Sequence, residues 1–303
     1  MTVKTEFSIK DLENLSSVKA HTIRIWEKRY NLLDPDRTDT NIRTYQLENL
    51  KKLLNVTFLY DKGYKISKIA KLSEEELLAL VQKEATLDQE EFAIKALKTS
   101  MFDFDYALFN ATYDQLLETH DFRSLFFEVF IPLLTDIGML WQTGTIDPAH
   151  ERFISELIKQ KVILNIERAQ QNFEKKHDPI FALYLPYEEI HEIGLLYVNY
   201  ELIASGFKSI YLGANIPLDS LFHVLKHHPT ITFISYFTVQ PERSTLPEYF
   251  QEFQSSVCSS ANCSLWIMGS QTHALDPKQL PKSVTKIASV EQLRSRLETL
   301  KKS

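Results

Sequence analysis

An apolar run, PIFALYLP (179–186), leads into PYEEIHEIGLL (186–196), which sets His191 among Glu188, Glu189 and Glu192 just before a helical pattern begins. An imidazole in such a place can ligate a metal, carry a proton or simply hold a hydrogen bond. Zinc takes about four protein ligands. No His, Cys or Asp cluster stands at ligand spacing nearby, so taken alone His191 reads as a surface or hydrogen-bonded imidazole. His223 and His227 share a helical face in HVLKH but lack a third ligand, and they read as solvated. Cys258 and Cys263 lack CxxC spacing and read as reduced structural thiols. Upstream, in GMLWQTGTIDPAHERF, Trp141 ends one helical pattern and Pro148 opens the next. That places Trp141, His150 and Glu151 at the same end of two helices.

These groups need a scaffold, and the chain is long enough for two or three domains. A hydrophobic fraction of 44%, a charged fraction of 24% and only seven glycines describe an ordinary globular composition rich in helix. No window approaches eighteen uncharged apolar residues, and MTVKTEFSIK has no apolar export segment. The expectation is a cytoplasmic chain with no membrane partner. The net charge of -6 hides an asymmetry: residues 1–72 hold 14 Lys+Arg against 9 Asp+Glu, and the remainder is strongly acidic. A basic head on an acidic body suggests that the head alone meets a polyanion.

In that head, FSIKDLENLSSVKAHTIRIWEKRYNLL carries two short apolar faces with a turn near NLSSVKA. A polar hairpin, DPDRTDTNIRTY, and further helices follow. By charge alone this could equally be a small bundle with a solvated basic face. The order of elements over 7–75, with Thr22, Arg24, Trp26, Arg29 and Tyr30 in the second helix and Arg43 and Tyr45 in the wing, resembles the DNA-binding domain of the MerR family. The resemblance implies a winged helix-turn-helix in which Arg24, Lys28 and Arg29 enter the major groove while Arg43 and Tyr45 grip phosphates. It also implies a double-stranded operator bound by paired heads.

After an acidic helical linker, residues 88–175 carry four helical patterns broken near TSMFDFD, THDFR and TGTIDPAH, as in a four-helix bundle. From 179 onward, five strand patterns alternate with helices. That alternation predicts a flavodoxin-like, five-stranded, parallel, doubly wound sheet, whose ligands lie beyond the carboxyl ends of strands 1 and 3. No glycine-rich dinucleotide loop is present. Instead Glu189, His191 and Gly194 follow strand 1, Ser235 lies in strand 3, and Gly269 follows strand 4. This series resembles the cobalamin-binding domain of methionine synthases and corrinoid mutases. The resemblance implies that His191 ligates cobalt in place of the cofactor's own base, since the corrin already supplies four ligands. It further implies that Glu189 orients the imidazole, Ser235 bonds the buried nucleotide base, and Gly194 and Gly269 make room for it. Here glutamate stands where the family more often has aspartate, and Ser270 replaces the second glycine of a pair.

The whole chain resembles the cobalamin-dependent, MerR-type photoreceptor repressors of the CarH and LitR kind. The expected fold class is therefore multidomain α and α/β: a winged helix-turn-helix over 1–75, a helical linker over 76–87, a four-helix bundle over 88–177 and a flavodoxin-like domain over 178–303. The resemblance implies a non-enzymatic repressor that holds adenosylcobalamin between bundle and sheet, responds to it or to light, and works as a dimer or tetramer. It also implies that Trp141 and Glu151 cap the upper face of the cofactor, with a histidine next in line. Arg152 stands there instead, and His150 is one residue out of register, about 100° around a helix. Two other readings stay open: a cofactor-independent regulator with a degenerate cobalamin domain, and a corrinoid-carrying methyltransferase component.

Overall fold

The computed structural model describes residues 6–85, 89–171, 173–228, 230–258 and 262–302. The export reading of residues 1–5, the end of the expected linker and the first bundle residue lie outside them. The chain divides into two compact units, Met1–Ile158 and Lys159–Ser303.

In the first unit, β1 (Glu6–Phe7) leads into α1 (Ile9–Ser16) and α2 (Ala20–Tyr30). Ser8 caps α1 through a reciprocal pair: its hydroxyl accepts the Asp11 N–H, and the Asp11 carboxylate accepts the Ser8 N–H. Ser17, in the left-handed region, ends the helix. Leu12 and Leu15 of α1 meet Ile23 and Trp26 of α2 in the core. A hairpin follows, β2 (Asp36–Arg37) with β3 (Arg43–Gln46), and β1 joins it to make a sheet of order β1-β3-β2. Next come α3 (Leu47–Asp61), α4 (Ile66–Ile69) and α5 (Glu74–Ala85).

The bundle comprises α6 (Gln89–Asp103), α7 (Tyr106–Leu117), a long helix and α10 (Pro148–Gln171), which runs on into the second unit. The long helix is built from α8 (Phe122–Leu125), a π turn at Phe126–Phe130 and α9 (Ile131–Gln142). By length and composition alone, Phe122–Gln142 is apolar enough to cross a membrane. The sequence reading missed this because it counted only uncharged residues, and Arg123, Glu128 and Asp136 interrupt the run. Its apolar face is used inside the bundle, where Phe130 stacks on Phe109 and Tyr113. Head and bundle are joined within this unit. Phe7 meets Phe102 edge-on at 5.5 Å, Lys51 pairs with Asp103 at 2.7 Å, and Asn14 Nδ2 donates to Thr145 Oγ1 at 3.0 Å.

The second unit alternates β4 (His177–Tyr184), α11 (Ile193–Ala204), β5 (Phe207–Gly213), α12 (Leu221–His227), β6 (Thr230–Tyr236), α13 (Leu246–Glu252), β7 (Asn262–Met268), β8 (Val284–Lys286) and α14 (Val290–Leu300). All pairings are parallel and the order is β5-β4-β6-β7-β8, the expected doubly wound sheet with its switch point between β4 and β6. One face buries Phe181, Leu183 and Ile234 with Leu195, Val198 and Leu202 of α11 and Leu293 and Leu297 of α14. The other buries Ala182, Tyr184 and Phe233 with Leu221, Leu246 and Phe250. Cys258 and Cys263 form a disulfide, which corrects the reading as reduced thiols. The absence of CxxC spacing speaks to redox motifs; it does not prevent the chain from bringing the two Cα atoms to 5.6 Å.

Candidate functional site

At the carboxyl end of β4 the chain turns at Pro186, whose carbonyl accepts the Glu189 N–H. The Glu189 carboxylate is fully buried and takes six donors. Oε1 accepts from the Ile190 and His191 N–H groups, both at 2.9 Å, and from His191 Nδ1 at 2.6 Å. Oε2 accepts from the N–H groups of Thr238, Val239 and Gln240 at 3.1, 2.7 and 2.8 Å, in the loop after β6. Burial by itself would raise the pKa of this acid; the donors from His191, Val239 and Gln240 outweigh it and hold the group at about 2. An ionised carboxylate only accepts, so Nδ1 carries the proton it donates. The neutral imidazole then has its lone pair on Nε2. The ring is half exposed, and Tyr187, Ile190 and Val239 form an exposed apolar group on the flanking loop segments. In its neutral form His191 thus offers a nitrogen of fixed tautomer, with exposed apolar residues on the neighbouring loop segments at the switch point.

This donor set fits the fifth ligand of a corrin-bound cobalt. Ser235 and Gly194 lie on opposite faces of the sheet. Ser235 pairs in register with Tyr184, on the face where Tyr184, Phe233 and Phe237 pack. Its Oγ is buried and has no hydrogen-bond partner among the described residues. Tyr184 bonds Tyr249 at 3.0 Å. Gly194 belongs to the opposite face, and a Cβ there would lie 2.8 Å from Cζ of Tyr236. The space beside Gly194 therefore holds a tyrosine ring. Gly269, at φ +101, would drive a Cβ to 2.3 Å from the Phe237 carbonyl oxygen. It admits the close approach of the Phe237 backbone. Ser270, in place of the second glycine, donates its hydroxyl to the Thr238 carbonyl at 3.2 Å and closes the same loop.

In the bundle, Trp141 is 54% exposed at the end of α9. Glu151 accepts from the Ser155 hydroxyl at 3.2 Å and pairs with the exposed Arg152 at 3.6 Å. His150 departs from the expectation of an upper-face group. It is buried, stacks on Phe104 at 5.1 Å and lies against Phe102 at 5.2 Å. Its Nδ1 accepts the Asp147 N–H at 3.3 Å, in the manner of a residue in the first turn reaching back to cap its own helix. That bond and the aromatic pair turn the ring inward.

In the head, Arg24, Lys28 and Arg29 are exposed along α2, with Thr22 and Tyr30 partly buried; Arg29 lies over the Tyr30 ring. The wing differs from the reading that gave Arg43 and Tyr45 to phosphates. Arg43 Nε donates to Glu27 Oε1 at 2.8 Å, and the wholly buried Tyr45 donates its hydroxyl to Glu27 Oε2 at 2.9 Å. Burial and the Glu27 charge raise the Tyr45 pKa, so it stays a donor. The two residues clamp the wing to α2. Arg37, opposite Arg43 in the hairpin register, and the 62% exposed Ile42 take the outer positions. Sequence reasoning missed both, although hairpin pairing of DPDRTDTNIRTY was the available signal. It also missed His120, whose Nε2 faces Glu90 at 3.4 Å and Glu128 at 4.0 Å. His223 and His227 are exposed.

A basic helix-turn-helix head and a parallel sheet with a locked histidine at its switch point define a class: a DNA-binding regulator joined to a corrinoid-binding sensor. Residues 7–76 match the MerR HTH family regulatory proteins, and residues 93–164 match the B12 binding domain. The head is thus similar to MerR-type heads, and the bundle to B12 binding domains. It is 28% identical to the HTH-type transcriptional repressor CarH of Myxococcus xanthus over 222 residues, 71% of this chain and 73% of that protein. It is 25% identical to the repressor CarA of the same organism over 223 residues, 70% of each. The monomethylamine corrinoid protein of Methanosarcina barkeri superposes with a TM-score of 0.55 at 13% identity, covering 67% of this chain and 96% of that one. This last likeness concerns the fold alone.

Proposed function

We propose that this chain is a transcriptional repressor whose head, over residues 1–75, is controlled by cobalamin held at the 178–303 domain, in the adenosyl form and with light as a signal. His191 ligates cobalt and Glu189 fixes its tautomer. Tyr187, Ile190 and Val239 are the exposed apolar residues near His191 against which a corrin would pack, and Trp141 and Glu151 would be contacts from the bundle. Arg24, Lys28 and Arg29 meet an operator as part of a dimer or tetramer. The cofactor supplies the light-labile cobalt–carbon bond; the chain supplies binding, orientation and readout. No catalysis is assigned to it.

The observation that carries this reading is the six-donor Glu189 carboxylate, which presents His191 with Nε2 as its acceptor nitrogen. His191→Ala should lose cobalamin during gel filtration in the dark while wild type keeps it. Equal retention by both would remove the ligand assignment. A cofactor-independent regulator is the second reading, and the Tyr236 ring beside Gly194 is the observation in its favour.

A further inference from the structure

The gap between the first turn of α11 and the end of β6 is filled by one side chain. An ideal Cβ on Gly194 would lie 2.8, 2.9 and 3.1 Å from Cζ, Cε1 and Cε2 of Tyr236, so the ring rests on the glycine itself. The backbone on the β6 side is pinned. Thr238, Val239 and Gln240 donate to Glu189, and Ser270 holds the Thr238 carbonyl. Gln271 donates to the carbonyls of Val239 and Pro241, and the Phe237 backbone is wedged over Gly269. The ring is held differently. Tyr184, Tyr197, Tyr211 and Tyr249 of the same unit all engage their hydroxyls with Tyr or Glu partners. The Tyr236 hydroxyl has no hydrogen bond among the described residues, and burial alone raises its pKa. Apolar packing against the core of this face is what keeps it in place, with no hydrogen bond from its hydroxyl to another described residue. The removable piece in an otherwise fixed site is therefore this ring.

We propose that Tyr236 is a gate that sorts corrinoids by their tails. A tailless corrin reaches the half-exposed His191 with the ring in place, whereas a corrinoid carrying a nucleotide tail is admitted only when the ring swings away from Gly194. The proposal rests on the reading of His191 as the cobalt ligand and assigns a residue outside the resemblance that suggested it. Removing the ring should speed the tailed ligand and leave the tailless one alone. If the ring leaves the gap about a tenth of the time, tailed uptake is slowed about tenfold.

The experiment follows the absorbance of aquocobinamide and aquocobalamin on mixing with the full chain in the dark. Cobalamin must also release its own base, which slows it in every variant, so the diagnostic quantity is the change on removing the ring. Tyr236→Ala should accelerate cobalamin uptake about tenfold and change cobinamide uptake less than about twofold. Tyr236→Phe, which keeps the ring, should behave as wild type. Tyr236→Met, which keeps apolar contact but can fold aside, should fall between the two and guards against loss of folding in the alanine variant. Equal acceleration of both corrinoids, or no acceleration of either, would overturn the gate while leaving His191 as ligand. If neither corrinoid binds any folded variant, the reading of the site falls and the gate with it.

Discussion

Glu189→Gln keeps the shape of the side chain and removes its charge, and the structure fixes what this should cost. Whichever way the amide is turned, its NH2 faces three donors: either the N–H groups of Ile190 and His191 with His191 Nδ1, or the N–H groups of Thr238, Val239 and Gln240. A second figure comes from titration. A carboxyl whose pKa falls from 4.5 to about 2 on folding contributes about 3 kcal/mol at neutral pH. With the orphaned donors added, the loss should be about 3 to 5 kcal/mol. The sign with pH is definite: the folded pKa is depressed, so the contribution is complete above 4.5 and is lost as pH falls toward 2. Glutamine does not titrate, so the gap between wild type and variant should narrow by about 2 kcal/mol between pH 7 and pH 3. Urea unfolding of the full chain, read through Trp266 of β7 with Trp26 and Trp141 replaced by phenylalanine, isolates the sheet. A gap below about 1 kcal/mol at pH 7, or one unchanged at pH 3, would refute the view of Glu189 as an ionised bridge between loops.

Gly269→Ala should destabilise the sheet unit by about 3 kcal/mol or more, because φ +101 and a Cβ at 2.3 Å from a backbone oxygen leave nowhere to relax; thermal melting checks this. Arg24→Ala with Arg29→Ala should weaken binding to double-stranded DNA and lower the slope of log affinity against log salt by about one for each phosphate no longer neutralised. Fluorescence anisotropy across a salt series measures it, and an unchanged slope would take α2 out of the interface. After illumination of the adenosylcobalamin complex, wild type should show no bis-imidazole spectrum, since Arg152 offers no lone pair and His150 is turned inward. Arg152→His should acquire one, and His150→Ala should lower the melting temperature without changing the spectrum.

The parts of the molecule legible in the sequence were those set by short-range pattern. Five alternating strand and helix patterns led to the sheet order, and Glu189 could be matched to His191 because they are two residues apart. What stayed hidden depends on long-range geometry. The second oxygen of Glu189 is met by N–H groups some fifty residues later, and backbone donors leave no mark on residue types. Tyr236 and Gly194 are distant in sequence and meet only because α11 folds back on β6. Tyr45 looked like a phosphate contact since its type suits one; its inward orientation follows from the face of β3 on which it lies, opposite Phe7 in register, where its hydroxyl reaches Glu27 of α2. His150 was placed by helical register, and register alone says nothing about the aromatic pocket formed by Phe102 and Phe104.

The hydrogen bond from Asn14 to Thr145 joins α1 of the head to the turn that separates Trp141 from His150. Mechanically the head is bolted to that turn and is not a passenger on a tether. A displacement of the turn by an ångström has two outlets: it drags α1 along, or it snaps a bond that reaches only 3.0 Å. An event that shifts the end of α9 therefore has a route to the root of the helix-turn-helix that does not pass through the α5 segment.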